Sequence, residues 1–159
     1  VKTLVVYDSF FGNTEKVAQA VGEALSGAGE VEIVRAGKVT PGQVAEADLV
    51  IVGSPTRAFR PSPEIGKFLR SIPAGGLEGK RTGAFDTRIS EEDVGSAFLR
   101  LLMKVFGYAA RPVSRKLERK GGRVVLEPAG FVVTGKEGPL KEGELDRAAG
   151  WARKAGEAG

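Results

Sequence analysis

Cysteine and histidine are both absent from the 159 residues. Without thiols or imidazoles there can be no disulfide, no cysteine nucleophile, no iron–sulfur ligation, no histidine-dependent triad and almost no protein zinc site. Long apolar runs are missing too. The apolar start, Val1 to Asp8, is far too short for a bilayer span and lacks the basic opening and small-residue cleavage site of a secretory leader. The expectation is therefore a cytoplasmic protein with no membrane insertion. Any catalytic or redox chemistry must come from carboxylates, hydroxyls, lysine, arginine, backbone amides or a bound organic cofactor.

What the chain does have is a hydrophobic content of 42%, enough for one core, so a single domain over residues 1–159 is expected. Lysine and arginine number 24 against 20 acidic residues, a formal charge of +4, and such a balance calls for a search for a nucleic-acid stripe. The densest basic stretch runs from Arg111 to Arg123, with Arg115, Lys116, Arg119 and Lys120 at helical spacing around Leu117. Glu118 interrupts it and no aromatic residue is interleaved. It reads as a solvated helix face, and no nucleic-acid partner is expected.

Short apolar runs alternate with amphipathic stretches, the pattern of a parallel sheet covered by helices on both faces. Lys2–Asp8, Val31–Val34, Asp48–Gly53 and Thr82–Phe85 read as strands, the first and third apolar enough to be buried on both sides. A fifth strand, Arg123–Leu126 and Phe131–Val133, is interrupted by Pro128, which cannot donate to a ladder and predicts two short pieces. Val17, Val21, Ala24, Leu25 and Ala28 mark one helix with a buried stripe; Val94, Ala97, Phe98, Leu101, Leu102 and Val105 mark another. Ile65, Phe68, Leu69 and Ile72 mark a third, with Ser62 as N-cap and Pro63 at its first position. Leu145, Ala148, Ala149 and Ala152 mark the last, before a Gly/Ala-rich tail, Ala155–Gly159, expected to fray.

Where the first strand meets its helix stands Tyr7-Asp-Ser-Phe-Phe-Gly-Asn-Thr-Glu-Lys16. A helix N-terminus presents unpaired N–H groups and about half a positive charge, so a dianionic phosphomonoester can be held there without lysine or arginine. Gly12 permits close backbone approach, Ser9 and Thr14 offer hydroxyls, and the amides from Phe10 through Asn13 to Glu15 form the cage. The glycine-rich dinucleotide signature and the Gly-Lys-Ser/Thr triphosphate signature are both missing, which points to a monophosphate. The alternative is that Thr14 or Asn13 merely caps the helix and Ser9 makes a turn.

The segment Ser9-Phe10-Phe11-Gly12-Asn13-Thr14 resembles the flavodoxin phosphate loop, with Phe11 where family members often carry threonine. Pro55-Thr56-Arg57, with Phe59 nearby, is similar to the corresponding loop of flavodoxin-like quinone reductases. The resemblance covers essentially the whole chain. It implies an α/β, doubly wound, five-stranded parallel sheet in order 2-1-3-4-5, and FMN as a non-covalent cofactor. Flavodoxin is itself a standard illustration of the rule that ligands bind beyond the carboxyl ends of strands where the order reverses. The loops after strands one, three and four would then converge. By the same resemblance Ser54, Pro55, Thr56, Arg57, Ala58 and Phe59 would meet the flavin ring. Phe59 would lie against a ring face or, equally, pack beneath its own loop. Asp86, Thr87 and Arg88 would face the pyrimidine end of the ring, or Asp86 and Arg88 would form a surface ion pair.

Two departures from the family bear on mechanism. Long-chain flavodoxins are typically acidic and place a glycine in the second loop, whose peptide flip stabilises the one-electron-reduced flavin. Here the chain is basic and has no glycine between Ser54 and Ile65. A left-handed Ala58 would cost roughly 1–2 kcal/mol, which weakens one-electron poise relative to two-electron chemistry. Arg88 near the ring would raise its potential. Three functions remain open: an FMN electron carrier serving redox partner proteins as a monomer or weak homo-oligomer, an NAD(P)H-dependent quinone reductase, and a flavin-free interaction module.

Overall fold

The computed structural model describes residues 1–56, 60–89, 96–135 and 137–157. Six parallel strands form one sheet: β1 (Lys2–Tyr7), β2 (Glu30–Arg35), β3 (Leu49–Pro55), β4 (Arg81–Ile89), β5 (Arg123–Val124) and β6 (Ala129–Val133). The path is β2-β1-β3-β4-β5, with β6 also on β4. β5 pairs with Arg81–Thr82 and β6 with Phe85–Ile89, so the two are one interrupted fifth strand and the expected order 2-1-3-4-5 holds. Pro128 sits in the break, where its missing N–H costs the ladder nothing.

Strand β3 is buried from Leu49 to Ser54, and β1 from Thr3 to Val6. Continuous β-branched and leucine runs are what a strand with helices on both faces requires. Each strand sends alternate side chains to opposite layers. Leu4, Val6, Val50, Val52 and Ala84 pack on α3 (Pro63–Ser71) and α5 (Ala110–Arg119); Val5, Ile51, Phe85 and Phe131 pack on α1 (Asn13–Leu25) and α6 (Glu144–Glu157). On the second face Phe85, Phe131 and Trp151 meet edge to face, their centroids 5.9–6.1 Å apart. Ser62 caps α3 and Pro63 is at its start, as expected. A short α2 (Pro41–Glu46), closed by a reciprocal Thr40–Gln43 capping box, is an addition to the sequence reading.

Three expectations are corrected. α4 (Ala97–Phe106) forms, but two members of its predicted stripe are not buried: Phe98 and Leu101 are 66% and 56% exposed. The helix that covers the sheet after β4 is α5, through Val113 and Leu117. Val94 lies outside the described residues. The tail does not fray at Ala155, which is buried, because α6 continues to Glu157. Finally, β4 does not end at Phe85. Pairing with β6 keeps the chain extended to Ile89, so Asp86, Thr87 and Arg88 are strand residues.

Glu144, at the start of α6, accepts from the Val132 N–H at 2.7 Å and pairs with Arg147, whose Nη2 also donates to the Gly130 carbonyl. Arg147, joined by the Val132 N–H and opposed by burial, holds the Glu144 carboxyl below its usual 4.5. A lowered folded-state pKa gives stability that is complete above the unfolded value and is lost as pH falls through the folded one. In Glu144→Gln the urea midpoint should fall near neutrality and approach that of the unsubstituted protein as pH drops below the ordinary carboxylate range. A gap that stays constant with pH would show that Glu144 acts by packing alone.

Candidate cofactor site

The carboxyl ends of β1, β3 and β4 meet where the strand order reverses. Helix α1 begins there with Gly12 as its N-cap, at φ 90°, a left-handed conformation that side chains resist. No side chain caps this helix, whereas α2 and α3 are both capped. The open first-turn amides and the helix dipole leave a cradle of donors. Ser9 Oγ accepts from Gly12 N at 3.0 Å and holds the turn closed, while Phe10 and Phe11 are about half exposed beside it.

The three loops are bonded to one another. Buried Thr14 and Thr87 share a hydroxyl hydrogen bond of 2.8 Å, joining α1 to β4. Thr56 N donates to the Thr87 carbonyl at 3.0 Å, and Thr56 Oγ1 accepts from Ala109 N at 3.2 Å. Ser54 Oγ accepts from Ser62 N at 2.9 Å and donates to the Pro55 carbonyl, so this hydroxyl closes the second loop. Arg57, Ala58 and Phe59 lie outside the described residues. The Asn13 side chain is tied to the segment before α6: its Nδ2 donates to the Glu137 carbonyl at 2.9 Å. A side chain at Gly138, whose φ is 102°, would strike that amide.

Asp86 and Arg88 share the β4 face opposite Thr87, a consequence of the strand's alternation. They form a two-point ion pair of 2.7 Å and 2.7 Å, and Asp86 Oδ2 accepts from Ala110 N at 2.9 Å. The Asp86 side chain is fully buried and that of Arg88 is 24% exposed. Burial pushes the Asp86 carboxyl up, and Arg88 and the Ala110 N–H oppose it. The pair is thus an interior one rather than a surface one. Arg88 also stacks on Tyr108 at 3.6 Å from the ring centroid. Its charge is committed to Asp86, which removes the ground for expecting it to raise a flavin potential.

The sequence reading missed Arg35. The last residue of β2 stands in register with Tyr7 and donates to Asp8 Oδ1 at 3.3 Å, to the Ser9 carbonyl at 3.1 Å and to Glu15 Oε2 at 3.4 Å. The order 2-1 puts the end of the second strand beside the end of the first, so register was the available signal. Tyr7 donates to Glu15 Oε2 at 3.1 Å, and burial first, then that bond, raises its hydroxyl pKa. Among the described residues, no group of three or more carboxylates is placed to hold a metal ion.

A doubly wound sheet with an uncapped helix N-terminus at its switch point is an arrangement in which α/β domains can hold phosphate groups. The flavodoxin family description matches residues 5–151, and the chain belongs to that family. Among curated relatives, an NAD(P)H dehydrogenase (quinone) of Rhodopseudomonas palustris is 32% identical over 115 residues, 57% of this chain and 58% of that protein. An uncharacterized protein of Methanocaldococcus jannaschii is 38% identical over 73 residues, 43% of this chain and 19% of that one. The chain therefore spans a fifth to about three fifths of these two relatives' length. Among solved structures, flavodoxin 1 of Bacillus cereus superposes with a TM-score of 0.78 at 19% identity, over 99% of this chain and 98% of that one. A flavodoxin from the domain Archaea gives 0.74 at 21% identity, over 99% of each. These two structures bear on the fold. The cofactor that goes with the family is FMN.

Proposed function

We propose that this chain holds FMN across the three loops and carries electrons between redox partner proteins in the cytoplasm, as a monomer or weak homo-oligomer. The observation that carries the reading is the Gly12-capped start of α1, which leaves donors without a side-chain acceptor at the switch point. That donor set fits a phosphomonoester, and no lysine or arginine stands between Asp8 and Thr14 to demand a more highly charged ligand. Bound FMN supplies one- and two-electron chemistry at its ring. The protein's own residues bind and orient. Amides of the α1 first turn hold the phosphate, Ser9 keeps Gly12 in its turn, and Thr14–Thr87 and Thr56–Thr87 fix the second and third loops relative to the first. Phe10 and Phe11 present apolar surface beside the cradle.

A second reading, an NAD(P)H-dependent quinone reductase, is favoured by the quinone dehydrogenases about a third identical over 57% of the chain. One experiment separates the two. The purified protein is titrated with FMN by fluorescence quenching, then assayed for NADPH oxidation with a soluble quinone, and for reduction by a flavodoxin reductase. Saturable FMN binding, with reduction by the flavodoxin reductase and no NADPH-quinone turnover in its absence, supports the carrier. NADPH-quinone turnover moves the protein to the reductases, and absence of FMN binding removes both readings.

A further inference from the structure

Two carboxylates flank the cradle, where a phosphate dianion would meet them. Asp8 is 5% exposed, and its Oδ1 accepts from Ser9 N at 2.9 Å while its Oδ2 is buried with no protein partner. Glu15 lies in the first turn of α1. Each draws on the same guanidinium, that of Arg35, which also holds the Ser9 carbonyl and lies 5.2 Å from the centroid of the Tyr7 ring. With Arg35 in place the three side chains sum to one negative charge; without it they sum to two, and the helix dipole alone must offset them.

We propose that Arg35 is a positioning residue that offsets one of the two carboxylate charges at the phosphate loop and thereby sets the preference of this site for phosphorylated flavin over riboflavin. The inference rests on the FMN reading above. Its location explains why no basic residue is needed within the loop: the charge arrives from the neighbouring strand β2, through the register pair Tyr7–Arg35. The Arg35 side chain is 41% exposed, so solvent weakens its field. An effect of about tenfold on a dianion is expected rather than several orders of magnitude.

The test is the ratio of riboflavin to FMN dissociation constants, measured by flavin fluorescence at low ionic strength. In Arg35→Met, FMN should bind about tenfold more weakly, with riboflavin changed by less than about threefold. Arg35→Lys should regain most of the loss, since it restores the charge. The double variant Arg35→Met/Glu15→Gln should also regain it, although it has lost a further hydrogen bond; a double variant as weak as Arg35→Met shows a mechanical strap and overturns the inference. An unchanged ratio in Arg35→Met overturns it as well. If Arg35→Met does not fold, Glu15→Gln alone decides, by binding FMN more tightly with riboflavin unaffected or by leaving the ratio where it was. A wild-type chain that takes neither flavin overturns the FMN reading instead. Inorganic phosphate, followed at the amides of residues 12–15 by NMR, then tests the charge effect alone. Equal phosphate affinity in wild type and Arg35→Met, or in wild type and Glu15→Gln should Arg35→Met not fold, overturns the inference.

Discussion

Replacing Arg88 with methionine is expected to cost the fold about 3 kcal/mol near pH 8, and less near pH 5. The Asp86 carboxylate is fully buried, and the two-point pair with Arg88 is its principal compensation, the Ala110 N–H supplying one further bond. Removing one partner of such a pair leaves an uncompensated charge in the interior, which is far costlier than replacing both. The pH dependence follows from the direction of the Asp86 shift. Burial already pushes its carboxyl above the ordinary 3.8 against the opposition of Arg88. Without that opposition the folded-state pKa climbs further, the folded protein binds a proton that the unfolded chain has released, and stability falls as pH rises through the interval between the two values. Urea unfolding of Arg88→Met and wild type across this range checks both parts. A variant that unfolds at the wild-type midpoint, or whose deficit shrinks on going from pH 5 to pH 8, contradicts the account. The double variant Asp86→Leu/Arg88→Met should recover much of the loss, because no buried charge remains.

The pair also shows what sequence reading can reach. The sequence pattern ends the fourth strand at Phe85 and puts Asp86, Thr87 and Arg88 in the loop that follows, whereas the structure continues the strand through them to Ile89. Whether they form a loop or a strand depended on β6, a segment more than forty residues later that pairs with Phe85–Ile89. Local patterning carries no information about that pairing. The strands buried on both sides declared themselves, since β1 and β3 need continuous apolar runs. Pro128 declared the break between β5 and β6 through its missing N–H. The two helices after β4 were harder. Both α4 and α5 have an apolar stripe, and periodicity cannot tell which of them covers the sheet; Val113 and Leu117 enter the core while Phe98 and Leu101 face solvent. Arg35 escaped for a related reason: a residue's role across a strand pair appears only when register is known.

Truncating Phe85 to alanine should cost about 3–5 kcal/mol, the range for a fully buried aromatic, and substitution of its partner Gly53 should cost less in that background than in the unsubstituted protein. Phe85 is the register partner of Gly53, and a Cβ built on Gly53 would fall 2.0–2.6 Å from three atoms of the Phe85 ring. The glycine is therefore a slot for the ring. The ring cannot slide away, because Phe131 and Trp151 meet it at 6.0 and 5.9 Å. Gly53→Ala alone should destabilise by about 1–3 kcal/mol through overpacking. In Phe85→Ala the same methyl enters the emptied space, so the double variant should be more stable than the sum of the singles by at least about 1 kcal/mol. Additive costs in a urea double-mutant cycle would mean that the two positions do not share this space. The contact also reaches the site. Ser54–Thr56 and Asp86–Arg88 follow Gly53 and Phe85 on adjacent strands, so the ring locked over the glycine fixes the spacing of the second and third loops. FMN affinity should fall in each single variant, and the double variant should lose less than the two single losses combined.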